Sequence, residues 1–219
     1  GDDTYDGGDG SDIAYAYYTD HTGAIAFDLA NLEGNSAITV GGVASGAFIS
    51  IERVIFRGGT GNDVVKGGGT LDTLVGNAGN DTLDGWYGND TLSGGLGDDT
   101  LIGGEGLDTA TYVNATAGVN VDLRLEGIAQ NTGGEGIDTL YSIEYLTGSQ
   151  FGDTLRGNDE FNLIIDNAVD PAATAFSQTD SIYGYGGNDS ILVTRATGVV
   201  ATNILMDGGQ LLSYDRKSP

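Results

Sequence analysis

The sequence predicts an almost entirely β, repetitive fold, and three observations carry that expectation. A nine-residue unit runs six times without a gap from Gly58 to Thr111: GGTGNDVVK, GGGTLDTLV, GNAGNDTLD, GWYGNDTLS, GGLGDDTLI and GGEGLDTAT. A fixed period of this kind marks a repeat architecture before any single residue is interpreted. The eighth position of every unit is apolar (Val65, Leu74, Leu83, Leu92, Leu101, Ala110), which reads as a core row. Helical spacing is missing: even the longest glycine-free stretch, Asn158 to Tyr183, has no apolar recurrence at three and four.

Composition narrows the chemistry. Glycine is abundant, at 39 of 219 residues, yet proline numbers only 2 and the glycines fall at fixed phase, which separates the chain from collagen and from disordered Pro/Gly tracts. A formal net charge of -24 argues against a nucleic-acid backbone or an anionic membrane surface as partner and in favour of cations. Of the 32 acids 25 are Asp, whose short side chain combines tight turns with oxygen ligation, as calcium requires. Cysteine is absent, so neither a disulfide framework nor a thiolate metal site is available. No apolar run approaches the ~20 residues that span a bilayer, and no basic-then-apolar leader opens the sequence.

Around the tandem block a looser order of landmarks occurs twice. GGDGSDIAY (7–15), AIAFDL (24–29) and SIE (50–52) precede the first tandem unit. GGEGLDTAT (103–111), VNVDL (119–123) and SIE (142–144) precede GSQFGDTLR at 148. The offset between copies falls from 96 residues at Asp12/Asp108 to 92 at Ile51/Ile143, as for a duplicated repeat-plus-spacer module with small deletions. β-prone runs in the spacers (25–29, 38–40, 48–51, 54–56 and 119–123) alternate with turn residues and are expected to add strands to the stack. Further units read as GGEGIDTLY (133–141) and GYGGNDSIL (184–192). The expected segments are therefore 1–57, a partial repeat with spacer; 58–111, the tandem block; 112–165, a spacer with further repeats; and 166–219, a degenerate region. Residues 1–6 read as the back half of a unit, so the chain is expected to be part of a longer protein, and LLSYDRKSP (211–219) matches no unit and is expected to fray.

The consensus GGxGxDxUx, with U a large aliphatic residue, resembles the RTX, or haemolysin-type calcium-binding, repeat. The resemblance implies a right-handed parallel β-roll in which two units make one coil, with several Ca²⁺ ions held between stacked turns by Asp carboxylates and turn carbonyls. It further implies a secreted or cell-surface bacterial protein, exported by type I secretion. The candidate metal residues are the sixth-position Asp63, Asp72, Asp81, Asp90, Asp99 and Asp108, with Asp12, Asp138, Asp153 and Asp189 in the outlying units. The accompanying turn glycines are Gly58, Gly59, Gly61, Gly76, Gly79, Gly85, Gly88, Gly94, Gly95, Gly97, Gly103, Gly104 and Gly106.

Elementary electrostatics supports the same reading. Strands in adjacent coils lie about 4.7 to 4.9 Å apart, so residues 18 apart stack as Asp63–Asp81–Asp99 and Asp72–Asp90–Asp108. At ~5 Å and an effective dielectric of about 20, each adjacent pair repels by roughly 3 kcal/mol. Four pairs cost about 12 kcal/mol, comparable to a whole domain's stability of about 5 to 15 kcal/mol. The expectation is a chain that folds only when divalent cations sit between the rungs. Departures mark weaker turns: Thr70 and Phe151 replace fourth-position glycines, and Asn77 and Trp86 replace second-position ones.

Other features are read on two sides. Asp28 and Asp122, like Glu52 and Glu144, either close metal sites at the ends of the roll or cap strands. Trp86 and Tyr87 either stack on a sugar ring or pack at the edge. The sole histidine, His21, leaves no His-based zinc site and no Ser-His-Asp triad, and no catalytic constellation is visible. The expected function is a non-catalytic calcium-binding region that folds outside the cell within a larger secreted polypeptide. The alternatives are a carbohydrate- or cell-surface-binding adhesin module, or an accessory region of a secreted polysaccharide-acting enzyme, protease or lipase.

Overall fold

Period-nine glycines forbid long strands, and period-two alternation between them puts one aliphatic side chain per strand on the inside. The computed structural model follows that logic over residues 3–30, 36–167, 180–195, 203–205 and 210–215, the residues it describes. In the tandem block successive strands alternate between two parallel sheets. Val64–Lys66, Thr82–Tyr87 and Thr100–Glu105 belong to the first, and Thr73–Ala78, Thr91–Leu96 and Thr109–Thr111 to the second. Partners are 18 residues apart, as in Leu83↔Leu101 and Leu74↔Leu92, so two nonapeptides make one coil of a β-roll.

The four middle strands of this block run six residues. Pairing resumes beyond the first glycine of the next unit, at Gly95↔Asn77 and Gly104↔Trp86, and so includes the turn's leading edge. Positive φ at the second position makes this possible, at 75° for Asn77, 72° for Trp86, 100° for Gly95 and 106° for Gly104. Asparagine tolerates that region; tryptophan there is uncommon.

The second sheet is the spine of the molecule. It starts at Ile13–Tyr17 and passes through Arg53–Arg57, the tandem strands, Tyr145–Thr147, Leu163–Asp166 and Ser190–Arg195 to Gln210–Asp215, parallel throughout. Residues 211–215, expected to fray, are the last strand of this ladder; 216–219 lie outside the described residues. The spacers are absorbed on the opposite side. Ser36–Val40 runs antiparallel to both Ile25–Asp28 and Val43–Ile49, and inserts a meander into the first sheet. At Ile137–Tyr141 the first sheet ends, covered by the antiparallel pair Gln130–Asn131. A third sheet of Asn120–Asp122, Thr154–Arg156, Ser181–Tyr183 and Asn203–Leu205 then faces the spine. Among the described residues the only helical turn is Leu123–Leu125, which Asp122 caps by accepting the Arg124 N–H.

The core consists of apolar columns. Phe27, Val65, Leu83, Leu101 and Leu140 stack on the first face, and Ala16, Phe56, Leu74, Leu92, Ala110, Leu146, Ile164 and Ile191 on the second. All are buried. Each large member contributes roughly 1.5–3 kcal/mol by leaving water. Leu83→Ala is therefore expected to destabilise the calcium-loaded roll by about 2–5 kcal/mol, and Val64→Ala, on the exposed side of the same sheet, by less than about 0.5 kcal/mol. Denaturant unfolding in saturating calcium measures both.

Candidate metal centre

Every sixth-position aspartate of the tandem block is buried, with at most 1 % of its surface exposed. One carboxylate oxygen of each is fixed by the coil beneath. Asp81 Oδ1 accepts the Asp63 N–H at 2.7 Å, Asp99 Oδ1 accepts that of Asp81 at 2.8 Å, and Asp138 Oδ1 accepts that of Asp99 at 3.1 Å. Asp63 closes this first ladder at its lower end by accepting the Ile25 N–H at 2.7 Å. In the second ladder Asp72 accepts from Val54 (2.6 Å), Asp90 from Asp72 (2.7 Å) and Asp108 from Asp90 (2.7 Å). It then continues through Glu144 Oε2, which accepts the Asp108 N–H at 2.9 Å, and Asp189 Oδ1, which accepts the Asn162 N–H at 3.0 Å. A third ladder joins Val119, Asp153 and Asp180 (2.9 and 2.7 Å). Asp12 is tied the same way, its N–H donating to Glu52 Oε2 at 2.8 Å.

The other oxygen is the unusual feature. Oδ2 of Asp12, Asp63, Asp81, Asp90, Asp99, Asp108 and Asp189 is buried without a hydrogen-bond partner, and a buried carboxylate oxygen left so is costly. Three predicted residues differ, the first being Asp138, whose Oδ2 accepts the Thr132 hydroxyl at 2.9 Å and the Tyr112 hydroxyl at 3.3 Å. Asp72 Oδ2 accepts the Gly68 N–H at 2.7 Å, in the turn where Thr70 replaces glycine. Asp153 Oδ2 accepts the Ser149 N–H at 2.7 Å and its Oδ1 the Ser149 hydroxyl at 2.6 Å, in the turn carrying Phe151.

Glycine bounds the space beside each orphaned oxygen. At Gly58, Gly76, Gly85 and Gly94 a Cβ would collide with the carboxylate of the same unit, and at the first three also with the carbonyl oxygen of the glycine one coil on. At Gly79, Gly88, Gly97 and Gly106 it would strike the fourth-position carbonyl of the coil before, and at Gly59, Gly95 and Gly104 the carbonyls of His21, Asn77 and Trp86. Gly61 abuts the Gly23 backbone, and Gly103 the Ser142 carbonyl and Asp108. The cradle thus offers carboxylate and main-chain oxygens, with the amide oxygens of Asn80 and Asn89 beside Gly97 and Gly106, the hard donor set that suits Ca²⁺. Among the described residues no three His, Cys, Asp or Glu side chains converge on one point, because each position pairs carboxylates with backbone carbonyls.

Burial pushes these carboxyls up, and at Asp81, Asp90 and Asp99 neighbouring rungs add to it. Asp72 is raised to about 6, Asp81 and Asp99 to about 7, and Asp90 to about 8; the backbone N–H bonds pull the other way. Desolvation also raises Asp63, Asp108, Asp138, Asp153 and Asp189.

A second row, missed in the sequence, runs alongside. The fifth-position side chains Asn62, Asn80, Asn89 and Asp98 accept the N–H of Asn80, Asp98, Leu107 and Ile137 at 2.9, 3.1, 3.0 and 3.0 Å. The recurring Asn-Asp and Asp-Asp pairs are its only signal in the sequence. Of the residues read on two sides, Glu52 and Glu144 are rungs. Asp122 caps and pairs with Arg124 at 2.7 Å, and Asp28 accepts the Ala30 N–H at 2.9 Å. The Trp86 ring packs 4.4 Å from that of Tyr87, with Lys66 Nζ 5.7 Å from its centre, and Tyr87 remains exposed.

The profile of the RTX calcium-binding nonapeptide repeat, built on four copies, matches residues 1–17, 55–83, 67–101, 84–110 and 177–193. The chain carries RTX repeats. These repeats make it a calcium-binding β-roll region. No curated protein matches the chain. The matched segments include the RTX rungs Asp12, Asp63 to Asp108 and Asp189, and leave out the spacers, where the first sheet is remodelled.

The raised carboxyls give the metal-free RTX roll a defined pH dependence. Their folded values lie above an unfolded value near 3.8, so the stability they contribute is complete below about pH 4 and is lost as pH rises through about 6 to 8. In chelator, β-sheet circular dichroism is expected to be weak at pH 8 and to grow on acidification to pH 5. In saturating calcium it is expected to stay strong at pH 8.

Proposed function

We propose that this RTX region is a non-catalytic, calcium-dependent folding unit of a larger secreted or cell-surface bacterial protein. One observation carries the reading: a row of buried aspartate oxygens without partners, set among turn carbonyls that glycine leaves open. At neutral pH a chain of net charge -24 bringing these carboxylates together opposes its own folding. Bound Ca²⁺ supplies the missing positive charge and accepts six to eight oxygen ligands. The rungs Asp63, Asp81, Asp99, Asp90 and Asp108 are assigned as the carboxylate ligands in the tandem block, with Asp12, Asp153 and Asp189 in the outer units. The turn glycines contribute carbonyls. Asp72 and Asp153 are assigned as the weakest, because their second oxygens already accept N–H groups.

Such a unit remains expanded in calcium-poor cytosol, in a state that suits type I secretion, and folds where extracellular calcium is millimolar. Extracellular modules bind at about 10⁻⁴ to 10⁻³ M, and binding restricted to the folded state stabilises it by mass action. Among the described residues no helix is long and apolar enough to cross a membrane.

The sole tryptophan provides the measurement, because Trp86 lies in a turn whose carbonyl packs against Gly104. Calcium titration in neutral buffer should show a cooperative Trp86 fluorescence change together with the gain of β circular dichroism. Asp81→Asn keeps the acceptor for the Asp63 N–H but removes a charge and an oxygen ligand; it should raise the half-folding calcium concentration roughly tenfold. Asp72→Asn should raise it less than about threefold. Equal effects of the two substitutions would reject the ligand assignment, and a titration without any folding step would reject the function.

A further inference from the structure

At the end of the first sheet the turn departs from its siblings. The third residue of a tandem unit is exposed at Thr60, Tyr87, Leu96 and Glu105, but the corresponding Glu135 of the unit at 133–141 is buried, with 5 % of its surface exposed. Its Oε2 has no hydrogen-bond partner. The coil is held in register, since the Glu135 carbonyl accepts the Gly97 N–H at 2.8 Å and a Cβ at Gly136 would strike the Gly97 carbonyl. The Glu135 backbone is therefore set opposite Gly97, two residues before Asp99, and its carboxyl is buried within reach of the charges of Asp138 and Asp99.

Asp138, the rung above Asp99 and the carboxylate expected to face it, is differently engaged. Its Oδ1 accepts the Asp99 N–H, and its Oδ2 is approached by the Thr132 hydroxyl at 2.9 Å and the Tyr112 hydroxyl at 3.3 Å. Tyr112, Thr132 and Asp138 are all buried. Asp138 is thus the one rung of the first ladder in the repeats whose two oxygens both have partners, while Asp63, Asp81 and Asp99 each keep a buried orphan. At this level of the roll the oxygens left without partners belong to Asp99 and Glu135.

We propose that the outermost cation site of the first ladder is held by Asp99 and Glu135, with the Gly97 carbonyl between them, and that Asp138 is a positioning residue locked by Tyr112 and Thr132. This rests on the calcium-binding reading above. The sequence pattern conceals the exchange, because Glu135 occupies a variable position and Asp138 the invariant-looking one.

Calorimetric titration of the whole chain with Ca²⁺ alone tests the assignment, with circular dichroism at saturating calcium to establish that each variant folds. Glu135→Gln should remove one site or weaken it roughly tenfold while the remaining sites titrate as in the parent. Asp138→Asn should retain the number of sites. If Glu135→Gln does not fold, Glu135→Asp keeps the charge but withdraws the carboxyl by one methylene, and should weaken the same site. Unchanged titration of the folded Glu135 variants, or loss of the site in Asp138→Asn instead, would overturn the proposal and leave calcium binding intact. Absence of any calcium heat from the parent chain would overturn both.

Discussion

A single interaction, repeated coil after coil, sets the conditions for the rest of the structure: a buried aspartate that gives one oxygen to the backbone N–H of the coil below and has no partner for the other. The first half stacks the coils in register, as at Asp63–Asp81 and Asp90–Asp108. The second half makes the stack dependent on something that is not protein. A carboxylate buried with one unsatisfied oxygen must take a proton or a cation. Burial and neighbouring rungs raise Asp81, Asp90 and Asp99 to about 7 or 8, into the range where protons and calcium compete for the same groups.

The apolar columns and the glycines follow from that geometry. A strand short enough to return to a turn every nine residues buries a single large side chain per pass in the tandem block, as at Leu83 or Leu92. Columns of this kind bring coils together without choosing between registers, because every unit offers much the same apolar residue. The carboxylate ladder, and the parallel row of Asn62, Asn80, Asn89 and Asp98 side chains, make that choice. Glycine at the first position leaves room for the carboxylate, and at the fourth allows the φ of 143° seen at Gly97 where carbonyls of adjacent coils approach.

Much of this was legible in the sequence where the period is gapless. The row of aspartates and the core row follow from counting units between Gly58 and Thr111, and the register of 18 residues from the two-unit coil that the RTX resemblance implies. Counting does not give hydrogen bonds: the ladder read as bare carboxylates in repulsion is in fact interleaved with backbone N–H groups, which moderate the repulsion without satisfying both oxygens. Where spacers interrupt the period, the sequence loses the register. Asp138 stacks on Asp99 across 39 residues and Glu144 on Asp108 across 36, and glutamate there serves as a rung in a place where the repeat has aspartate. The change of facing sheet after Tyr141 and the final strand at 210–215 have no periodic signal, because both depend on pairing with strands distant in sequence. Glu135 lies at a position the pattern leaves free, and only its burial reveals it.

The ladder can be observed bond by bond. Amide hydrogen exchange at the backbone N–H groups of Asp63, Asp81 and Asp90, followed by NMR at neutral pH, reports whether each carboxylate is accepting its bond. These amides should exchange slowly in calcium and lose their protection together in chelator. Protection of equal strength in both conditions would contradict the dependence of the fold on a bound cation.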